Sequence, residues 1–424
     1  MSDKQTYNRI PALRFPEFIN DGEWEVKRLR DIVTIVEERC GSDRLNIGNY
    51  ISTENMLQNL EGIKRASKIP MTGSFTLFKE GDVLFSNIRP YLKKVWQADF
   101  SGVASNDIIV FRAKEDFYKP FISHIIKSDS FIAYSMLGAK GVKMPRGDKN
   151  MMLDYSVLIP TFAEQQRIAT CLSAVDELIT AVSNKLEQLK AHKKGLMQQL
   201  FVPLNGGGDK SLIINELQTP IIRFPEFKNT KGWEVKKLGE IFDRLANRNK
   251  VNNQNVLTIS AQHGLVSQYD YFNKNVAAND VTNYYLISRG DFAYNKSRSQ
   301  GHPFGAIKAL RKYETGIVSP LYICFRAKDD NCNVGFYEFY FDTDLINDEM
   351  GKIAQEGARN HGLLNISNDD FFNRINILTP SDSEQRKIAD CLSSLDETIR
   401  LYNDKLTMLR HHKRGLMQQL FPQA

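Results

Sequence analysis

The 424-residue chain lacks most of the signatures that mark an enzyme. It contains no GxxxxGK[ST] phosphate loop, no HExxH, no GxSxG and no GxGxxG. The Asn/Asp-Pro-Pro-aromatic loop that amino-methylating DNA enzymes carry is missing too. Cysteine is scarce, and Cys40, Cys171, Cys324, Cys332 and Cys391 form no CxxC pair. The spacing gives no signature of a thiolate zinc site and fits reduced thiols in a cytoplasmic protein. The seven histidines are scattered. The first residues, MSDKQTYNRI, hold no apolar core of a signal peptide, and no run of about eighteen apolar residues could span a membrane. The expectation is a cytoplasmic protein without cofactor, metal or catalytic residues. A net charge of +6 is a mild lean towards polyanions.

What the chain does have is itself, twice. Glu164–Phe201 and Glu384–Phe421 align without gaps over 38 residues and match at 22 of them, at an offset of 220. RFPEF at Arg14–Phe18 returns at Arg223–Phe227, and WEVKRL at Trp24–Leu29 returns as WEVKKL at Trp233–Leu238, both at an offset of 209. Between these anchors the halves differ strongly.

The two closing segments have a helical period. Ile168, Leu172, Val175, Ile179, Val182, Leu186, Leu189, Leu196 and Leu200 step by four and three, with Lys193 in one slot. Ile388, Leu392, Leu395, Ile399, Tyr402, Leu406, Leu409, Leu416 and Leu420 do the same around Lys413. Such a sustained heptad seam predicts a coiled coil of roughly 57 Å per helix. The stems of Lys193 and Lys413 are expected to snorkel out of the seam near the helix ends, the other reading being polar residues at a core slot that fix register or orientation. Thr161 with Glu164, and Ser381 with Glu384, predict capping boxes in which hydroxyl and carboxylate serve each other's backbone amides. Two similar halves related by a pseudo-two-fold would pack the helices antiparallel.

The remaining regions read as α/β (α+β). Apolar runs such as Asp107–Phe111 and Leu321–Phe325 predict strands, and the Gly81-Asp82 and Gly290-Asp291 steps predict turns into strands. FRAK recurs at Phe111–Lys114 and Phe325–Lys328. The predicted organisation is a first globular domain over 1–160 and a spacer helix over 161–201. A linker over 202–222, containing Gly206-Gly207-Gly208, leads to a second domain over 223–380 and a helix over 381–424.

The unlike inserts carry turn segments rich in Arg, Lys, Asn and Gln. Such side chains neutralise phosphates, and Arg, Asn and Gln also bond base edges. The candidates in the first insert are Asn87, Arg89, Lys93, Lys94, Lys143 and Arg146. Those in the second are Arg248, Lys250, Asn295, Lys296, Arg298, Gln300, Arg359 and His361. The reading of these loops as ordinary solvated turns remains open at this point.

The closing helices that open on P-x-x-x-EQ-x-[RK]-IA and end on [KR]GLMQQLF, together with GDVLFSNIRPYLKKV and GDFAYNKSRSQGHPFGAI, resemble the specificity subunits of type I restriction-modification systems. The resemblance covers nearly the whole chain. It implies two target-recognition domains separated by an antiparallel pair of long helices. Each domain would read half of a bipartite, asymmetric double-stranded DNA target, and the helices would fix the gap. It also implies two methyltransferase subunits and two restriction/translocase subunits as partners, with this chain non-catalytic. Gln198, Gln199, Gln418 and Gln419 on the outward helix face are candidate partner contacts, the other reading being that QQLF only closes the helix. The alternative function is a structural coiled-coil scaffold without sequence-specific DNA binding.

Overall fold

The structure is a computed structural model that describes residues 9–204, 219–260, 264–274, 280–299, 301–329, 331–356 and 364–422. Gly206-Gly207-Gly208, within the expected linker, lies outside the described residues. The chain divides into two compact units, residues 1–184 with 403–424, and residues 185–402. Each unit thus combines one globular domain with parts of both long helices.

In the first unit a four-stranded antiparallel sheet runs in the order Val33–Ile35, Ile108–Ala113, Val83–Ser86, Val95–Gln97. The central strands alternate little because both faces are covered, and Ile108–Phe111 is buried throughout. A second sheet joins Arg39–Gly41, Ser74–Phe78, Gly102–Ala104 and Tyr50–Ile51. The second unit builds its main sheet from Phe242–Leu245, Ile323–Ala327, Phe292–Asn295 and Ala306–Ala309. Both expected apolar runs therefore lead into central strands, but Leu321 and Tyr322 stand before the strand Ile323–Ala327, with Leu321 exposed in the preceding turn.

The repeated motifs are fasteners. The WEVK strands Glu25–Arg28 and Glu234–Lys237 pair with Ser156–Ile159 and Asn376–Thr379, the strands that lead into the long helices. Gly81 and Gly290 take φ of +87° and +89°, a turn that favours glycine. The aspartate that follows accepts a backbone N–H three residues back, Lys79 to Asp82 and Ser288 to Asp291. The same carboxylate takes a bidentate guanidinium from the FRAK arginine: Arg112 to Asp82 at 2.9 and 2.6 Å, Arg326 to Asp291 at 2.5 and 2.8 Å.

The long helices run Phe162–Leu200 and Asp382–Leu420. Thr161 and Ser381 accept the Glu164 and Glu384 amides at 3.4 Å, but the carboxylates do not complete capping boxes. They turn instead to the arginines of RFPEF, Arg14 and Arg223, which bind them through two contacts each at 2.7–2.8 Å. A guanidinium offers a better-matched, charged fork than a lone amide. The neighbouring Gln165 and Gln385 accept from the backbone of Tyr118 and Asn333 and donate to the carbonyls of Pro160 and Pro380.

Within each unit the helix segments run antiparallel. In the first, Lys413 reaches Asp176 at 2.6 and 2.8 Å; in the second, Lys193 reaches Asp396 at 2.5 and 2.6 Å. The expected snorkelling is thereby corrected. The ammoniums stay across the helix pair because a carboxylate awaits them there, and Lys193 also covers the Phe339 ring. The helix ends finish in cores. Leu420 is buried among Trp24, Phe121 and Leu172 of the first unit, while Leu200 and Phe201 are buried among Trp233, Phe336 and Leu392 of the second. Among the described residues no helix is long and apolar enough to cross a membrane.

Candidate nucleic-acid interface

The Gly-Asp turn, its strand and the FRAK arginine hold a hairpin whose far end carries the sequence-predicted cations. In the first unit the strand Val83–Ser86 runs out into Asn87–Lys94 and returns as Val95–Gln97. Arg89 and Lys93 both adopt the left-handed region at φ 51°, a strained conformation for residues with a Cβ. The short 3₁₀ turn Pro90–Leu92 lies between them.

A second loop docks on this turn. Lys140 and Arg146 exchange backbone hydrogen bonds at 2.9 and 3.0 Å, the Arg89 N–H donates to the Pro145 carbonyl at 2.8 Å, and Ile88 bridges to Arg146. The Arg89 guanidinium donates to the Lys143 carbonyl at 3.4 Å. The structure therefore brings Asn87, Arg89, Lys143 and Arg146 together. Lys143 is exposed, and Arg146, 59% exposed, pairs with Asp107 at 2.8 Å.

Two candidates point elsewhere. The Lys93 ammonium pairs with Asp129. Lys94 donates to the Thr53 carbonyl, and burial, with Lys64 nearby, holds its ammonium below the usual lysine range. Both fasten the turn to its surroundings.

In the second unit Asn295 ends the strand Phe292–Asn295, and Lys296 and Arg298 follow it. Arg298 stands 209 residues after Arg89, the spacing that separates Gly290 from Gly81, and it is exposed. Asn295 accepts the Ser297 N–H at 3.1 Å. Burial lowers the Lys296 ammonium, and its carbonyl accepts the Leu364 N–H at 3.0 Å. Arg248 stacks 4.7 Å over the Tyr285 ring and donates to the Asn283 carbonyl, leaving Lys250 exposed beside it. Gln300, Arg359 and His361 lie outside the described residues.

Gln198, Gln199, Gln418 and Gln419 are exposed side chains. The backbone carbonyls of Gln199 and Gln419 accept N–H groups of Ile222 and Leu13, the residues just before RFPEF and its copy. What sequence reasoning passed over is apolar. Val142 and Met144 are fully and half exposed between the cations of the Lys140–Arg146 loop, and Tyr269, Tyr271 and Phe272 are exposed on a short helix of the second unit. The alternation in KGVKMPR was the available signal for the first pair.

Two domains with one shared frame match a known family. The family described as type I restriction modification DNA specificity domain matches residues 21–191 and again 230–411. The chain belongs to that specificity-domain family. Its curated relatives include two specificity subunits of Methanocaldococcus jannaschii type I restriction enzymes. MjaVIII is 25% identical over 252 residues, 57% of this chain and 53% of that protein. MjaIX is 24% identical over 237 residues, 52% of this chain and 51% of that protein. The matches thus span about half the length of these relatives. Among solved structures, the type I restriction-modification S subunit from M. genitalium aligns over 98% of this chain and 99% of its own, with TM-score 0.56 and 14% identity. A chain from a structural study of type I R-M complex assembly and conformational transition aligns over 94% and 97%, with TM-score 0.51 and 17% identity. These likenesses establish the specificity-subunit fold, with its duplicated domain and paired long helices.

Proposed function

We propose that this chain is the non-catalytic subunit that reads double-stranded DNA for a type I restriction-modification system, each domain reading one half of a bipartite, asymmetric target. The observation that carries the reading is the contrast between fastener and tip. Arg112–Asp82 and Arg326–Asp291 hold the same hairpin in both units. Beyond it, Asn87-Ile88-Arg89 in one unit is replaced by Lys296-Ser297-Arg298 in the other. Fixed positioning with changed side chains is what two different base readouts require. The paired helices act as the spacer that sets the gap between the two half-sites.

In this reading the modules are 1–160 and 223–380 for recognition, with the helices over 161–201 and 381–424 as spacer. Two methyltransferase subunits, which supply S-adenosylmethionine chemistry, and two restriction/translocase subunits assemble on the chain in the cytoplasm. Gln198, Gln199, Gln418 and Gln419 face those partners.

The test is exchange of the span 30–155 for that of a relative with a different target, followed by mapping of methylated sites. One half-site changes and the other persists. Changes in both half-sites would refute the modular reading.

A further inference from the structure

The loop Lys140–Arg146 is a finger rather than a slack turn. Its base is closed by the reciprocal Lys140–Arg146 backbone pair, and its flank is held by the Arg89 contacts to Lys143 and Pro145. Gly141, at φ +98°, lets the chain leave the base sharply. A Cβ there would come 3.2 Å from the Met144 carbonyl. At the tip Val142 is 104% exposed and Met144 51% exposed. An apolar tip held rigidly in water gains nothing from folding, and such surface marks a contact made elsewhere. Around it stand Lys140, Lys143, Arg146 and Arg89, the cationic setting of a polyanion. Asp107 is occupied by Arg146, and Asp148 caps the helix Lys149–Leu153.

We propose that this finger enters the DNA major groove tip first, with the Val142 side chain against a thymine methyl and Met144 packed behind it. The cations at its base and flank then meet phosphates. The inference rests on the DNA-recognition reading above and goes beyond it by assigning an apolar readout to the first domain. A thymine C5-methyl is the apolar group that a base pair presents in that groove.

The test uses the full chain with its methyltransferase partner, and duplexes carrying the target found by methylation mapping. Each thymine of the half-site assigned to the first domain is replaced in turn by deoxyuridine, which lacks only the methyl. At one position the wild-type affinity falls about three- to fourfold, the size expected for one buried methyl group. V142A binds the thymine duplex more weakly and shows no further loss with deoxyuridine. It keeps the wild-type melting temperature and the wild-type response in the other half-site. If wild type favours its target over random duplex but no methyl matters, or V142A retains the deoxyuridine loss, the finger inference alone fails. If wild type does not favour its target at all, the recognition reading fails with it.

Discussion

Arg14 and Glu164 lie 150 residues apart and meet through two 2.8 Å hydrogen bonds, with side chains 7% and 1% exposed. Arg223 and Glu384 repeat the pair in the second unit with the same exposures. Each joins the entry of a domain to the start of its long helix. Removing the arginine strands a buried carboxylate, which costs about 3–5 kcal/mol. Denaturant unfolding checks this, with Trp24 and Trp96 reporting the first unit and Trp233 the second. R14A lowers the first transition and leaves the second, and R223A does the reverse.

Leu420 and Leu200 give a crossed prediction. Leu420 belongs to the second repeat yet is 1% exposed in the core of the first unit, and Leu200 is 2% exposed in the core of the second. Cutting either to alanine opens a cavity worth about 2–5 kcal/mol. L420A lowers the transition reported by Trp24 and Trp96, and L200A the one reported by Trp233.

Asp176–Lys413 and Asp396–Lys193 are partly exposed pairs, and part of their attraction is screened. A double-mutant cycle on D176K and K413D gives a coupling of about 1 kcal/mol. Each single change destabilises the first unit, and the double change recovers most of the loss.

His124 sets a pH dependence in the first unit alone. Burial, then the nearby Lys127 and Lys413, hold its imidazole well below the ordinary value, and its Nδ1 has no hydrogen-bond partner among the described residues. The unfolded chain takes up a proton near pH 6.5 that the native chain refuses. Stability is therefore lost as pH falls below about 6.5, with a slope approaching 1.4 kcal/mol per pH unit. In the second unit Phe339 stands at the equivalent helix position: Phe121 and Phe336 pack on Phe421 and Phe201 respectively, and His124 and Phe339 each follow three residues later. H124F removes the slope, as measured by unfolding between about pH 5 and 7, below the range in which the buried Lys127 ammonium, lowered to about 8, titrates.

The repeat, the heptad seams and the central strands were legible because each is a local pattern of spacing. The partners of the repeated charges were not. Glu164 follows Thr161 at the capping-box distance, and nothing local shows that Arg14 offers a stronger bond. Lys193 looks like an interruption until Asp396 is placed across from it. At the candidate interface, Lys93 and Lys94 read like Arg89, and only the fold shows their ammoniums turned to Asp129 and Thr53. Val142 escaped for the opposite reason, since apolar residues are read as core until their exposure is seen.

The most direct measurement of sequence reading is equilibrium competition at fixed salt. The full chain with its methyltransferase partner is offered a labelled duplex bearing the mapped bipartite target against unlabelled random duplex. The account predicts that the target binds tighter by about 10³-fold or more, and that scrambling either half-site removes the advantage. Equal binding of target and random duplex would contradict it.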